Sequence, residues 1–316
     1  MNISGIFYKT TGLMSKKHIA KTAENIGTDL INIGLSKPQI EVNDIKQVIK
    51  SRIGEKQSSQ ILISDNFKDF RDFTMTNLKF TQEQSEKFFK GVYAAAIPGG
   101  GKINKSLLQL DLKKFESLNT LVNAVSHECE HLLYQRFGIF MGLVRKLAKN
   151  NNDDLPATFA GNMNAKLLEF QQELIKLSNL KAPVIGGFTR FKKGDSGILE
   201  QTNLKTLSDL HKKIEDILTS KILVVKNDQD KIPILAGLLT IIPDEIRAYK
   251  VGGIVERKLF HKNDRLTRSE MLAQVYSEAL KTIKSVLKKE IISSRTNKNT
   301  NEIFKQDSIK LLSKQQ

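Results

Sequence analysis

Residues 113–138 read KKFESLNTLVNAVSHECEHLLYQRFG, and the periodicity of this stretch decides the fold. Phe115, Leu118, Val122, Val125, Cys129 and Leu132 recur at spacings of three and four, which predicts one long helix with an apolar stripe. Inside it stands His127-Glu128-Cys129-Glu130-His131. Residues four apart lie one above the other on a helix, so both imidazoles can reach one metal ion. At 100° per residue the histidines lie roughly 200–240° from Val125. The spacing therefore predicts one face on the core and a second face, shared with Ala124 and Tyr134, lining a cleft. With five histidines in 316 residues, the pattern H-E-x-x-H is expected by chance about 0.004 times.

Upstream, Ile61–Ser64 is a short apolar run fit for a strand. Phe67, Phe70 and Phe73 fall one helical turn apart and read as core. Thr81 and Gln84 form a capping box ahead of a helix carrying Phe88 and Phe89. Val92–Ile97 reads as a strand, Pro98–Gly101 as a turn and 102–110 as a further strand. The class is α+β: a small mixed sheet packed on the H-E-x-x-H helix, followed by a mainly α-helical C-terminal part. Residues 1–60 read as a helical segment, with Asn43 capping a short helix through Ile45, Val48, Ile49 and Ile53. Downstream helices are expected at 140–149, 163–178, 202–220, 231–241, 243–260 and 265–291, with loops at 150–154 and 181–198. The divisions expected are 1–60, a subdomain 61–150, a helical subdomain 151–293 and a polar basic tail 294–316.

Composition narrows the function. Hydrophobic residues make up 40% and charged residues 27%, enough apolar content for a substantial core. The 50 Lys and Arg against 34 Asp and Glu give a net charge of +16, which favours an acidic partner or simply a solvated lysine-rich surface. Lys284, Lys288 and Lys289 fall on an amphipathic helix, a candidate membrane or nucleic-acid contact. No nucleic-acid motif accompanies the charge, and tryptophan is absent. One cysteine excludes an internal disulfide. Cys129 falls on the core stripe and reads as a buried thiol, and Glu130 as a solvated or metal-supporting acid. The first 21 residues lack the apolar run of a secretory signal, and no stretch approaches a transmembrane span. Gly99-Gly100-Gly101-Lys102 is followed by Ile103 and is not a phosphate-binding loop.

The H-E-x-x-H helix with its preceding strand–turn–strand resembles the zincin metallopeptidases over some 80 residues. The resemblance implies that His127 and His131 bind zinc through ring nitrogens and that Glu128 is the general base on a zinc-bound water. Zinc brings the pKa of its water to ~7, within reach of a glutamate, and holds the developing oxyanion. Zincins divide by their third ligand. The metzincin continuation is excluded, because Tyr134 and Phe137 occupy the positions of its glycine and histidine. A thermolysin-like spacing finds Asn150 where a glutamate is needed, and the aspzincin Gly-Thr-x-Asp is absent. Glu245, in Pro243-Asp244-Glu245-Ile246-Arg247-Ala248-Tyr249, resembles the second helix of gluzincins, with Pro243 suited to its first turn and Ala248 small enough for close approach. It lies 114 residues after His131, a longer separation than in compact members. Asp153, Asp154, Glu200 and His211 stay open as rivals. Tyr249 is the candidate transition-state donor, with Tyr134, His211 and Arg247 as rivals. Strand 102–110 is expected as the edge that pairs with extended substrate.

The expected function is a zinc-dependent endopeptidase acting on a protein or peptide substrate, an acidic one on charge grounds. The alternatives are a basic nucleic-acid- or membrane-surface-binding protein with a fortuitous motif, and a degenerate zincin serving as a scaffold. One cysteine and no signal suit a cytoplasmic enzyme, or an effector protease delivered to a host cytosol without a classical signal peptide.

Overall fold

A capped helix stands near the start of the described residues. Ser15 Oγ accepts the His18 N–H at 3.3 Å, which starts α1 (Lys16–Ser36). Its Ile19, Ala23, Ile26 and Leu30 are buried on one face. The computed structural model describes residues 13–37, 39–78, 80–91, 93–97, 99, 105–115, 117–139, 166, 169–177, 207–225, 228–259 and 267–296. The expected helix 140–149, the loops 150–154 and 181–198, and the tail beyond 296 lie outside the described residues.

α2 (Val42–Ile53) begins at Glu41 rather than at Asn43. The Glu41 N–H donates to Asp44 Oδ2 at 2.7 Å, so the acid three residues on closes the helix start and Asn43 is left exposed inside the first turn. Gly54, at φ +84°, ends α2 in a conformation that a side chain rarely adopts.

A three-stranded sheet follows, made of β1 (Ile61–Ser64), β2 (Ala94–Ile97) and β3 (Ser106–Leu110) in the order β1-β3-β2. β1 runs parallel to β3 with Ile61 opposite Ser106, and β2 runs antiparallel with Ala94 opposite Leu110. The sheet is mixed, as expected, but the strand expected at its edge is its centre. All five residues of β3 are buried, and β2 is the edge strand on that side among the described residues. Between β1 and β2 lie α3 (Phe67–Phe73) and α4 (Gln82–Gly91). Phe70 stacks on Phe88 with ring centroids 5.6 Å apart and meets Phe89 at 5.4 Å. The Thr81 N–H donates to Gln84 Oε1 at 2.9 Å, and Thr81 Oγ1 accepts the Gln84 N–H at 3.2 Å, the reciprocal box its sequence predicts.

α5 (Leu118–Phe137) carries the H-E-x-x-H stretch. It starts later than the periodicity suggests, because Leu112–Lys114 forms a separate tight turn and Phe115 is extended. α1 packs along α5, and β2 and β3 pack against it elsewhere. The result is a helix buried nearly all round rather than on one stripe: Leu121, Ser126, Glu130 and Leu133 are inside as well. The segment before α1 is clamped to its end, with the Met14 N–H donating to the Phe137 carbonyl at 2.7 Å and the Ile139 N–H to the Met14 carbonyl at 2.9 Å.

The chain forms two compact units, one of residues 1–153, 182–198 and 247–269 and the other of 154–181, 199–246 and 270–316. The first holds the elements above. The second contains α6 (Leu207–Ile217), most of α8 (Arg268–Thr296) and the first part of α7 (Lys231–Leu259). Ion pairs such as Lys221 with Glu173 at 2.7 Å and Lys289 with Glu215 at 2.6 Å join its helices. α7 is one helix where two were expected, and Pro243 sits inside it rather than at a start. A proline there removes one backbone donor at a cost of ~3 kcal/mol. Burial of Leu235, Leu238, Leu239, Ile242 and Ile246 on both sides of it offsets that cost. No helix among the described residues is long and apolar enough to cross a membrane.

Candidate metal centre

The pattern H-E-x-x-H places His127 and His131 on one face of α5, and α7 supplies what stands opposite. Their Nε2 atoms are 3.2 Å apart and their ring centroids 4.8 Å apart. Two nitrogens held at about 2.05 Å from one zinc ion with a tetrahedral angle are separated by about 3.35 Å. The observed spacing matches a shared cation, and it also permits one ring N–H to donate to the other ring. The rings do not line an open cleft; His127 is 8% and His131 9% exposed.

Glu245 stands on α7 two residues before Arg247, where that continuous helix enters the first unit. One ligand atom each from His127, His131 and Glu245 lie within 4.8 Å of one another, the one such group among the described residues. Two nitrogens and a carboxylate oxygen are a zinc donor set. Gln171 donates to Glu245 Oε1 at 3.0 Å and steadies that carboxylate. Ala248 is wholly buried, consistent with the close approach its size allows.

Glu128 is half-buried on the sheet side of α5. Its Oε2 accepts the Ala96 N–H at 2.8 Å, so the carboxylate lies against the edge of β2. Tyr249 packs its ring on His127, centroids 4.4 Å apart at 59°.

Two rivals for the donor role are engaged elsewhere. Arg247 Nε donates to Glu130 Oε1 at 2.9 Å, and its guanidinium lies over the Tyr134 ring at 3.7 Å. Glu130 is therefore not solvated; it is 0% exposed and ion-paired. His211 belongs to the second unit, where its Nδ1 meets Thr282 Oγ1 at 2.9 Å. Asp153, Asp154 and Glu200 lie outside the described residues. Cys129 is buried on the core side, and desolvation, with the nearby Glu128 charge, pushes its thiol far above the ordinary range.

A second polar cluster joins α5 to α7 one turn before His127. Asn123 Nδ2 donates to Glu256 Oε1 at 2.5 Å and to Ser269 Oγ at 2.7 Å. Glu256 Oε2 accepts the Ser269 N–H at 3.1 Å. Gln171 and Asn123 carry no signal in the local sequence pattern, because each acts only through a partner distant in the chain. Glu256 alone was detectable in principle, as an acid falling between the apolar Val255 and Leu259 on α7.

No known family model, curated protein or solved structure matches this chain.

Proposed function

We propose that the chain is a zinc-dependent metallopeptidase of gluzincin type, with His127, His131 and Glu245 as metal ligands and Glu128 as general base. The single observation that carries this reading is the convergence of those three side chains to within 4.8 Å. Zinc bound there supplies a Lewis acid for the scissile carbonyl and makes a water acidic enough to attack at neutral pH. Glu128 takes the water's proton on its carboxylate and delivers it to the leaving amine. Its contact with the Ala96 N–H fixes that carboxylate at the edge of β2. The substrate is a peptide in extended form, added along the edge of β2 beside the Ala96 N–H that Glu128 holds, so that backbone hydrogen bonds align the scissile bond. Tyr249, against His127, is the donor to the oxygen on which negative charge develops.

Metal content tests this first. Elemental mass spectrometry of the purified chain should find close to one zinc per molecule, lost in His127→Ala, and Glu128→Ala should keep the zinc while losing peptide cleavage. Wild-type protein that neither contains zinc nor takes it up would end the proposal.

A further inference from the structure

We propose that the buried Glu130–Arg247 pair is a positioning device that sets where Glu245 stands relative to the two histidines; the inference rests on the metal reading above. Glu130 is the residue before His131, and Arg247 is two residues after Glu245. Their bond, Nε to Oε1 at 2.9 Å, thus joins a residue adjacent to one proposed ligand with a residue two positions from another, on two different helices.

The pair is a poor choice for stability alone. Glu130 is fully buried, and its Oε2 makes no hydrogen bond among the described residues. Taking both charges out of water costs several kcal/mol per ion, and an apolar pair of the same volume commonly serves stability as well or better. What the pair adds is register. Arg247 is fixed at a point by Glu130 and in a plane by the Tyr134 ring 3.7 Å away. A slip of one residue along α7 would move Glu245 by about 1.5 Å and swing it by about 100°, away from the histidines. It would also leave a buried carboxylate and a guanidinium without each other, which excludes the slipped arrangement.

The Asn123–Glu256 contact provides an internal control. It joins the same two helices and is equally buried, with Glu256 3% exposed. But Glu256 is 11 residues beyond Glu245, about 16 Å along the helix. Loss of the Glu130–Arg247 pair should disturb the metal, and loss of the Glu256 carboxylate should not.

The experiment measures zinc affinity of the full chain by competition with a chromophoric chelator, and the visible spectrum of the cobalt(II)-loaded protein. Wild type is compared with E245A, E130Q, R247K and E256Q. Circular dichroism of the metal-free proteins reports folding. E130Q and R247K should keep the helical spectrum, weaken zinc by about 10–100-fold towards the E245A value, and lower the cobalt band intensity as the third ligand is displaced. E256Q should match wild type in both readouts. Should E130Q fail to fold, R247K alone decides, since it keeps the positive charge and loses only the planar fork. Zinc affinity within twofold of wild type in the folded variants, with an unchanged cobalt spectrum, overturns the inference. So does an equal loss in E256Q, which would assign the effect to general integrity of the helix pair. A wild type that binds neither metal removes the metallopeptidase reading itself, a separate and recognisable failure.

Discussion

Replacing Gly27 with alanine tests how closely α1, α5 and α7 are packed. A Cβ at this position would lie 2.8 and 2.9 Å from the two methyls of Val255 and 3.1 Å from Ser126 Cβ. Ordinary contact begins at 3.4 Å, so Val255 has to retreat by roughly half an ångström. Val255 has little freedom to do so, being wholly buried and stiff at χ1. Overpacking of this kind costs about 1–3 kcal/mol, and contact with three atoms on two helices argues for the upper half of that range. Alanine recovers about 1 kcal/mol of helix propensity, leaving a net loss of about 1–2 kcal/mol. For a chain of this size the melting temperature should fall by about 1.5–3 °C. The assay is thermal and urea unfolding of wild type, Gly27→Ala, Val255→Ala and the double variant. In the Val255→Ala background the new methyl has space, so Gly27→Ala should there be neutral or stabilising. An alanine that raises the melting temperature of the wild type, or costs the same in both backgrounds, refutes the close approach.

Two further outcomes are expected. Desolvation holds the Glu256 carboxyl above its usual 4.5, against the lowering by the Ser269 N–H, Thr267, Asn123 and Arg268. The folded chain thus keeps a proton that the unfolded chain releases, and this contribution is full below pH ~4.5 and lost as pH rises through the folded value. The unfolding free energy of wild type minus that of Glu256→Gln should decline as pH is raised from 4 towards 7, and a flat difference would contradict it. The buried Cys129 thiol should react with a disulfide-exchange chromogen only as fast as the protein unfolds; immediate labelling of the native chain would place it at the surface instead.

Local signals carried far in this sequence. The Ile61–Ser64 strand, the Phe67–Phe70–Phe73 stripe and the Thr81–Gln84 box appear where their residues put them, because each depends on neighbours within four positions. The arrangement of the sheet was not legible in the same way. Nothing in 106–110 states that β1 lies beside it in parallel, since that pairing is made by a crossover through α3, α4 and β2. Pro243 misled for a related reason: its missing N–H is local, but the apolar stripe that carries α7 through it extends over several turns. The three side chains grouped as ligands do stand together, His127 and His131 by spacing alone and Glu245 by a helix begun 100 residues after His131.

The motif helix shows why polar positions need to be read with their partners. Asn119, Asn123, Ser126, His127, Glu128, Glu130 and His131 would mark a solvent face on a helix standing alone. In the fold Ser117 donates to Asn119, Asn123 meets Glu256, Ser126 donates to the Asn123 carbonyl, and the two histidine rings face each other. Glu128 holds the Ala96 N–H and Glu130 holds Arg247. The Asn123–Glu256 and Glu130–Arg247 pairs are directional and reach α7, so a shift of that helix would strand a buried donor or acceptor at about 1–3 kcal/mol apiece. An apolar stripe of leucines and valines tolerates sliding far better, because dispersion contacts have no preferred partner. The polar residues of α5 therefore specify which neighbours it accepts and in which register. That requirement is strictest beside His127 and His131, where the metal site proposed here would depend on side chains held to about half an ångström.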